Sequence, residues 1–156
     1  MATKTTTYTN VKGLYRALST LPKEASAQLR EASKDIASAI AMEAAEKARS
    51  QGGAAGLVAK SIKAKRDRVP SVRMGSPTKL PTSGDGWTHS RSGSGQTIGD
   101  VIWGAEFGGQ AWPTTQQFLP HLGRTGYFLW PTVRERSDET QARYSEALND
   151  ALQKVK

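Results

Sequence analysis

Residues 21–51 read LPKEASAQLREASKDIASAIAMEAAEKARSQ, and this stretch decides the fold. After Pro22 neither glycine nor proline interrupts it. Ala, Glu, Lys, Gln and Arg are strong helix formers because they lose little rotamer freedom or pack without strain. Thr20 is placed to cap the start, and Pro22 suits a first turn, where its missing N–H is not needed. Gly52-Gly53 ends the run, with Lys47 and Arg49 where the C-terminal dipole favours cations. A helix over residues 22–50 spans about 43 Å at roughly 1.5 Å per residue. Ala25, Leu29, Ala32, Ile36, Ala39, Ile40 and Ala44 recur at three- and four-residue steps, so one face is apolar. Most of those side chains are methyl groups, and burial energy scales with apolar area. A partner surface therefore approaches closely and gains little per residue. The face reads either as the core side of a helix lying across a small sheet or, in part, as a contact kept for a neighbouring copy.

The chain has 156 residues, which suits one domain with an arm or a long loop. Apolar residues make up 37%, a lean core that oligomerisation often completes. No run of about 18 apolar residues is present, so no membrane span is expected. Met1 to Asn10 is polar and threonine-rich, without an apolar signal-peptide core. There are no cysteines, hence no disulfide framework and no thiolate zinc site. The expected compartment is the cytoplasm or an assembly built there. The net charge of +8 is unevenly placed: residues 51–100 hold eight basic and three acidic groups, whereas residues 101–156 hold six of each. A basic strip in the middle of the chain attracts polyanions or an acidic protein surface, or serves as a solvated face.

Taken in order, residues 1–10 read as an extended arm, since threonine and tyrosine favour strand. Val11 to Thr20 reads as a short helix, with Leu14, Leu18 and Leu21 at helical steps and Asn10 as its cap. After the glycines at 52, 53 and 56, Leu57 to Ser61 forms a turn or short helix. Ile62 to Arg66 alternates apolar and basic residues as a half-buried strand does, and Val69 to Gly75 forms a second strand, with Pro70 at an edge or kink. The two make a hairpin that gathers Lys60, Lys63, Lys65, Arg66, Arg68 and Arg73. Residues 76–97 form a loop by composition, longer than a connector in a compact domain and expected to be mobile, with Trp87 as an anchor for a partner pocket. Thr97 to Trp103 reads as a strand and Gly104 to Gly109 as a sharp turn. Residues 111–126 are irregular, Gly126 to Pro131 is the most apolar and aromatic segment, and Pro131 to Lys154 is the last helix. The fold class expected is α+β: a long N-terminal helix and a C-terminal helix packed on a small antiparallel sheet. The arm covers residues 1–10, and a single domain covers 11–156.

The sequence holds no catalytic constellation. His89 and His121 have no His or carboxylate at metal-ligand spacing. Residues 92–99, SGSGQTIG, are glycine-rich but lack the Gly-Lys-Ser/Thr end of a phosphate-binding loop. There is no Gly-x-Ser-x-Gly elbow, and Glu106 reads as a turn residue. Neither an enzyme nor a cofactor is expected. The hairpin could meet nucleic acid, but Lys60 to Arg73 contains no aromatic for base stacking. Contact would then run through phosphates without sequence preference, and affinity would fall steeply with salt.

Three stretches, in order, resemble the neck or tail-completion proteins of long-tailed bacteriophages, also called head–tail joining or minor tail proteins. Val11-Lys12-Gly13-Leu14 with Leu18 and Leu21-Pro22 resembles that family's opening before an alanine-rich helix. Gly56-Leu57-Val58-Ala59-Lys60-Ser61-Ile62 resembles its step into the sheet. Trp103-Gly104-Ala105-Glu106-Phe107-Gly108, followed by Gly126-Tyr127-Phe128-Leu129-Trp130-Pro131-Thr132, resembles its Glu-Phe-Gly turn and its Phe-Leu-x-Pro-Ala lead into the final helix. Thr132 stands where the family often has alanine, and the 76–97 loop looks like an insertion. The likeness covers most of residues 10–154. It implies a virion structural protein at the neck or tail end, assembled in the host cytoplasm. Such proteins form a ring of copies, often six-fold, between the head-closure or connector ring and the tail tube. The expected partners are therefore other copies, those neighbouring rings, and passing genomic DNA through non-specific contacts. Trp87, Trp112, Tyr127, Phe128 and Trp130 are the candidate interface anchors. The alternative is a free, non-enzymatic basic protein that binds nucleic acid through phosphates.

Overall fold

A computed structural model describes Gly13, Arg16 and residues 18–80, 96–109 and 118–153. The expected long helix is α1, Lys23–Gln51. Pro22 occupies the cap position rather than the first turn, and its side chain makes no capping hydrogen bond. Gly52 ends it with φ +69°, a left-handed conformation that favours glycine. Its N–H donates to the Arg49 carbonyl at 3.1 Å. Upstream of α1, Gly13, Arg16, Leu18 and Ser19 are helical, in line with a short helix before Pro22. The arm at residues 1–10 and Leu14 lie outside the described residues.

α1 is buried along more than one stripe. Ala25, Leu29, Ile36, Ile40 and Ala44 face inward as expected, and Ala37, Ala41, Ala45 and Ala48 are buried as well. Two apolar clusters share the helix. Toward its N-terminus, Leu18, Ala25 and Leu29 pack with Ala151, flanked by Val69, Tyr144 and Leu148. Toward its C-terminus, Ala41, Ala44, Ala45 and Ala48 meet Ala55, Val58, Ile62, Val101, Ala105 and Phe128. The many methyl groups let neighbouring elements approach α1 closely, and that is how α2 (Gly53–Ala59) folds back onto it.

The hairpin forms as read, in shorter pieces. β1 (Lys63–Lys65) pairs antiparallel with β2 (Ser71–Arg73) in the register Lys63↔Arg73, Ala64↔Val72, Lys65↔Ser71. The ends of the long loop are held together: Lys79 bridges Thr97, and the Leu80 N–H donates to the Gln96 carbonyl at 2.8 Å. The expected mobility of the loop, and Trp87 within it, concern residues outside those described.

The expected strand at 97–103 and the turn at 104–109 are corrected. Residues Ile98–Phe107 form one helix, α3. Ile98, Val101, Ile102 and Ala105 recur at helical steps, and Thr97 with Asp100 closes a capping box. The Thr97 N–H donates to the Asp100 carboxylate at 2.8 Å, which holds that carboxyl below its ordinary pKa. The C-terminal helix is also revised. It begins at Leu129 rather than Pro131, and Arg136 divides it into α4 (Leu129–Glu135) and α5 (Ser137–Gln153). Both pack against α1. The architecture is α+β, with the two-stranded sheet and the C-terminal helices laid against a long N-terminal helix.

Candidate interaction surface

The hairpin's six cations do not form one open strip. Lys63, Lys65 and Arg73 are exposed, and the pairing register puts Lys63 beside Arg73. Lys65 pairs with Asp67 at 3.5 Å, and Arg66 pairs with Glu31 of α1. Arg68 turns inward: its Nε donates to Ser26 Oγ at 3.0 Å, and its carbonyl accepts from Ser33 Oγ at 3.1 Å and Tyr144 Oη at 2.9 Å. Arg68 thus ties the hairpin to α1 and α5, which corrects its reading as a partner-facing residue. Ser26 and Ser33 are buried polar groups satisfied by that tie.

Lys60 and Lys63 instead join two cations from α1. Lys34, Arg49, Lys60 and Lys63 line a groove of about 350 Å³, floored by Ala41, Ala45 and Ile62. No carboxylate lines it, and among the described residues none of these four cations forms an ion pair. Met42 stands at its rim, 72% exposed. Lys34 was not singled out from the sequence, and Arg49 only as a cation at the C-terminal end of the helix. A signal existed, because Lys34, Ser38, Ala41, Ala45 and Arg49 recur at steps of four, three, four and four, a small-residue face bounded by cations.

The aromatic candidates separate. Trp87 and Trp112 lie outside the described residues. Phe128 is completely buried in the core, so it is not an interface anchor. Tyr127 is half-buried, and its hydroxyl donates to the Pro120 carbonyl at 2.6 Å, a tie within the chain. Trp130 remains 46% exposed, at the lip of an apolar groove of about 500 Å³ shared with Val69, Val72 and Tyr144. Trp103, absent from the expected anchors, is 67% exposed and stacks on Phe107 with ring centroids 5.9 Å apart.

Glu106 is helical and buried, not a turn residue. Its carboxylate accepts from the Leu129 N–H at 2.9 Å and the Trp130 N–H at 2.8 Å, and its carbonyl accepts from the Tyr127 N–H at 2.8 Å. This accounts for the open donors at the start of α4. The third residue, Pro131, has no N–H, and Thr132 donates to the Phe128 carbonyl at 3.3 Å. Gly126 makes the approach feasible. Its φ is +74°, and a Cβ there would collide with the Glu106 carboxylate and with Trp130. The stretches 103–108 and 126–132 therefore meet in one joint.

A second polar cluster holds α4 and α5 on α1. Glu43 accepts from Arg136 at 2.5 Å and lies 3.2 Å from Lys47, which reaches Glu135 at 2.5 Å. The Arg136 guanidinium, with Lys47, holds the Glu43 carboxyl below its ordinary value; Glu135 raises the Lys47 ammonium above its own. Among the described residues no group of His, Asp or Glu is placed to hold a metal ion, and no helix is long and apolar enough to cross a membrane. No protein-family model matches the chain, and neither a characterised protein nor a solved structure matches it.

Proposed function

We propose that this chain is a structural protein of a long-tailed bacteriophage virion. It forms a ring of copies in the neck that joins the head connector to the tail tube, as a tail-completion or terminator component. The observation that carries the reading is the ordered set of three family-like stretches, the third of which has its two halves, 103–108 and 126–132, joined through Glu106. The surface adds support. Met42, Trp103, Leu119, Leu122, Trp130 and Leu152 are large apolar side chains left exposed in a single copy. Apolar surface of this kind suits protein contacts. Arg66 and Arg68 are engaged within the chain, which leaves fewer hairpin cations for phosphates and favours a protein partner over nucleic acid. No chemical step is assigned to the molecule.

The reading is tested by head–tail joining. Lysates of the phage with this gene disrupted should contain filled heads and separate tails, and adding the purified chain should restore joined, infectious particles. Joined particles formed at the normal yield without the protein would overturn it.

A further inference from the structure

We propose that the basic groove between α1 and the α2–β1 turn is the seat for the outer face of α5 of a second copy of this chain. The proposal deepens the ring reading and rests on it. Four cations line the groove and no carboxylate does. α5 has the opposite balance: Asp138, Glu139, Glu146 and Asp150 stand against Arg143 alone. Glu139 is occupied by Arg136 and Arg143, but Glu146 and Asp150 are exposed and form no ion pair among the described residues. Ala142, Ser145 and Asn149 lie between these acids on the exposed side, so the face is acidic and made of small residues.

The dimensions agree. The groove follows α1 from Lys34 to Arg49, about 22 Å, and α5 has 17 residues, about 25 Å. A floor of alanines lets a helix axis come close, and cations at the rim meet carboxylates on its flanks. Asp35 and Glu46 are exposed on the adjacent side of α1 and do not line the groove.

One copy cannot satisfy both surfaces by itself. α5 packs on α1 through Ile36, Ala39 and Ile40, beside the Glu43–Arg136 pair. The groove uses Lys34, Ala41, Ala45 and Arg49. At 3.6 residues per turn these two faces of α1 point in nearly opposite directions. The groove and the outer face of α5 therefore look away from each other. Different patches on opposite sides make a head-to-tail contact, the kind that closes into a ring when the rotation permits. A nucleic acid makes less use of this site, because the groove has an apolar floor and no aromatic side chain for stacking.

Sedimentation velocity on the full-length chain tests the contact. Wild type should associate in a concentration-dependent way at about 50 mM salt and dissociate at about 500 mM, where exposed charges are screened. The groove variant Lys34→Glu/Lys63→Glu and the helix variant Glu146→Lys/Asp150→Lys should each lose association by about tenfold or more. Mixed in equal amounts, they should regain it, because the reversed groove accepts the reversed helix and the native faces still pair. All four positions are exposed, and circular dichroism melts confirm folding. A monomeric wild type, variants that associate normally, or a mixture that stays dissociated would each overturn the proposal. Its failure is distinguishable from failure of the neck reading. Joining activity that survives both variants removes this interface alone, whereas restored association in the mixture without joining activity removes the neck role alone.

Discussion

Removing the Glu106 carboxylate takes the acceptor from two partly buried backbone N–H groups. Losing the partner of such a donor costs about 1–3 kcal/mol. Glu106→Ala should lower stability by about 3 kcal/mol, or roughly 6–12 °C in thermal midpoint. Glu106→Gln, which keeps one carbonyl acceptor, should cost about half as much. Differential scanning calorimetry reads both, and an Ala variant as stable as the parent would remove Glu106 from its capping role. The stretch around Glu106 was visible in the sequence, but its task was not. A glutamate beside Phe-Gly reads locally as a turn residue; its partners are the N–H groups of Leu129 and Trp130, more than twenty positions away. Gly126 is clearer in retrospect, since its left-handed backbone and its closeness to Glu106 both require a residue without Cβ.

Between elements, the Glu43–Lys47–Glu135–Arg136 cluster fastens α4 and α5 to α1. Glu43 has a folded pKa below its ordinary 4.5, so its contribution is present above that value and fades as pH falls through the folded one. The raised Lys47 contributes below its ordinary 10.5 and is lost only above its folded value. Both contributions are therefore present at neutral pH. The Glu43 and Lys47 side chains stay about one-third exposed, so the effect belongs to the modest range of surface pairs. Glu43→Gln should lower the melting midpoint by about 2 °C at pH 7, and by less at a pH well below 4.5, as the carboxyl takes up its proton. An equal loss at both pH values would mean that the carboxylate charge is not responsible. At this scale the sequence was legible where period and composition agreed, as in α1 and the hairpin. It misled at Ile98–Phe107, where β-branched residues suggested a strand although Ile98, Val101, Ile102 and Ala105 follow a helical period. The capping pair Thr97 and Asp100 was the signal to weigh against that bias. The break at Arg136 carries no glycine or proline, and so had no local mark.

For the whole molecule, a long alanine-rich helix separates a basic groove from an acidic helix face, and several large apolar side chains stay exposed. The excess charge in the middle of the chain was readable from composition. Its division was not: Arg66 and Arg68 turn to α1, while Lys60 and Lys63 join Lys34 and Arg49, because only the folded chain brings residue 34 beside residue 63. A chain with two unlike faces on opposite sides suits the head-to-tail contact proposed above, and the function proposed for it is a ring in a phage neck. The most direct measurement of the proposed neck role is quantitative peptide mass spectrometry on density-purified virus particles from the source of this gene. A neck ring predicts the chain in every preparation at a low, fixed copy number per particle, on the order of one closed ring. Absence from particles while the protein is abundant in the lysate would contradict it.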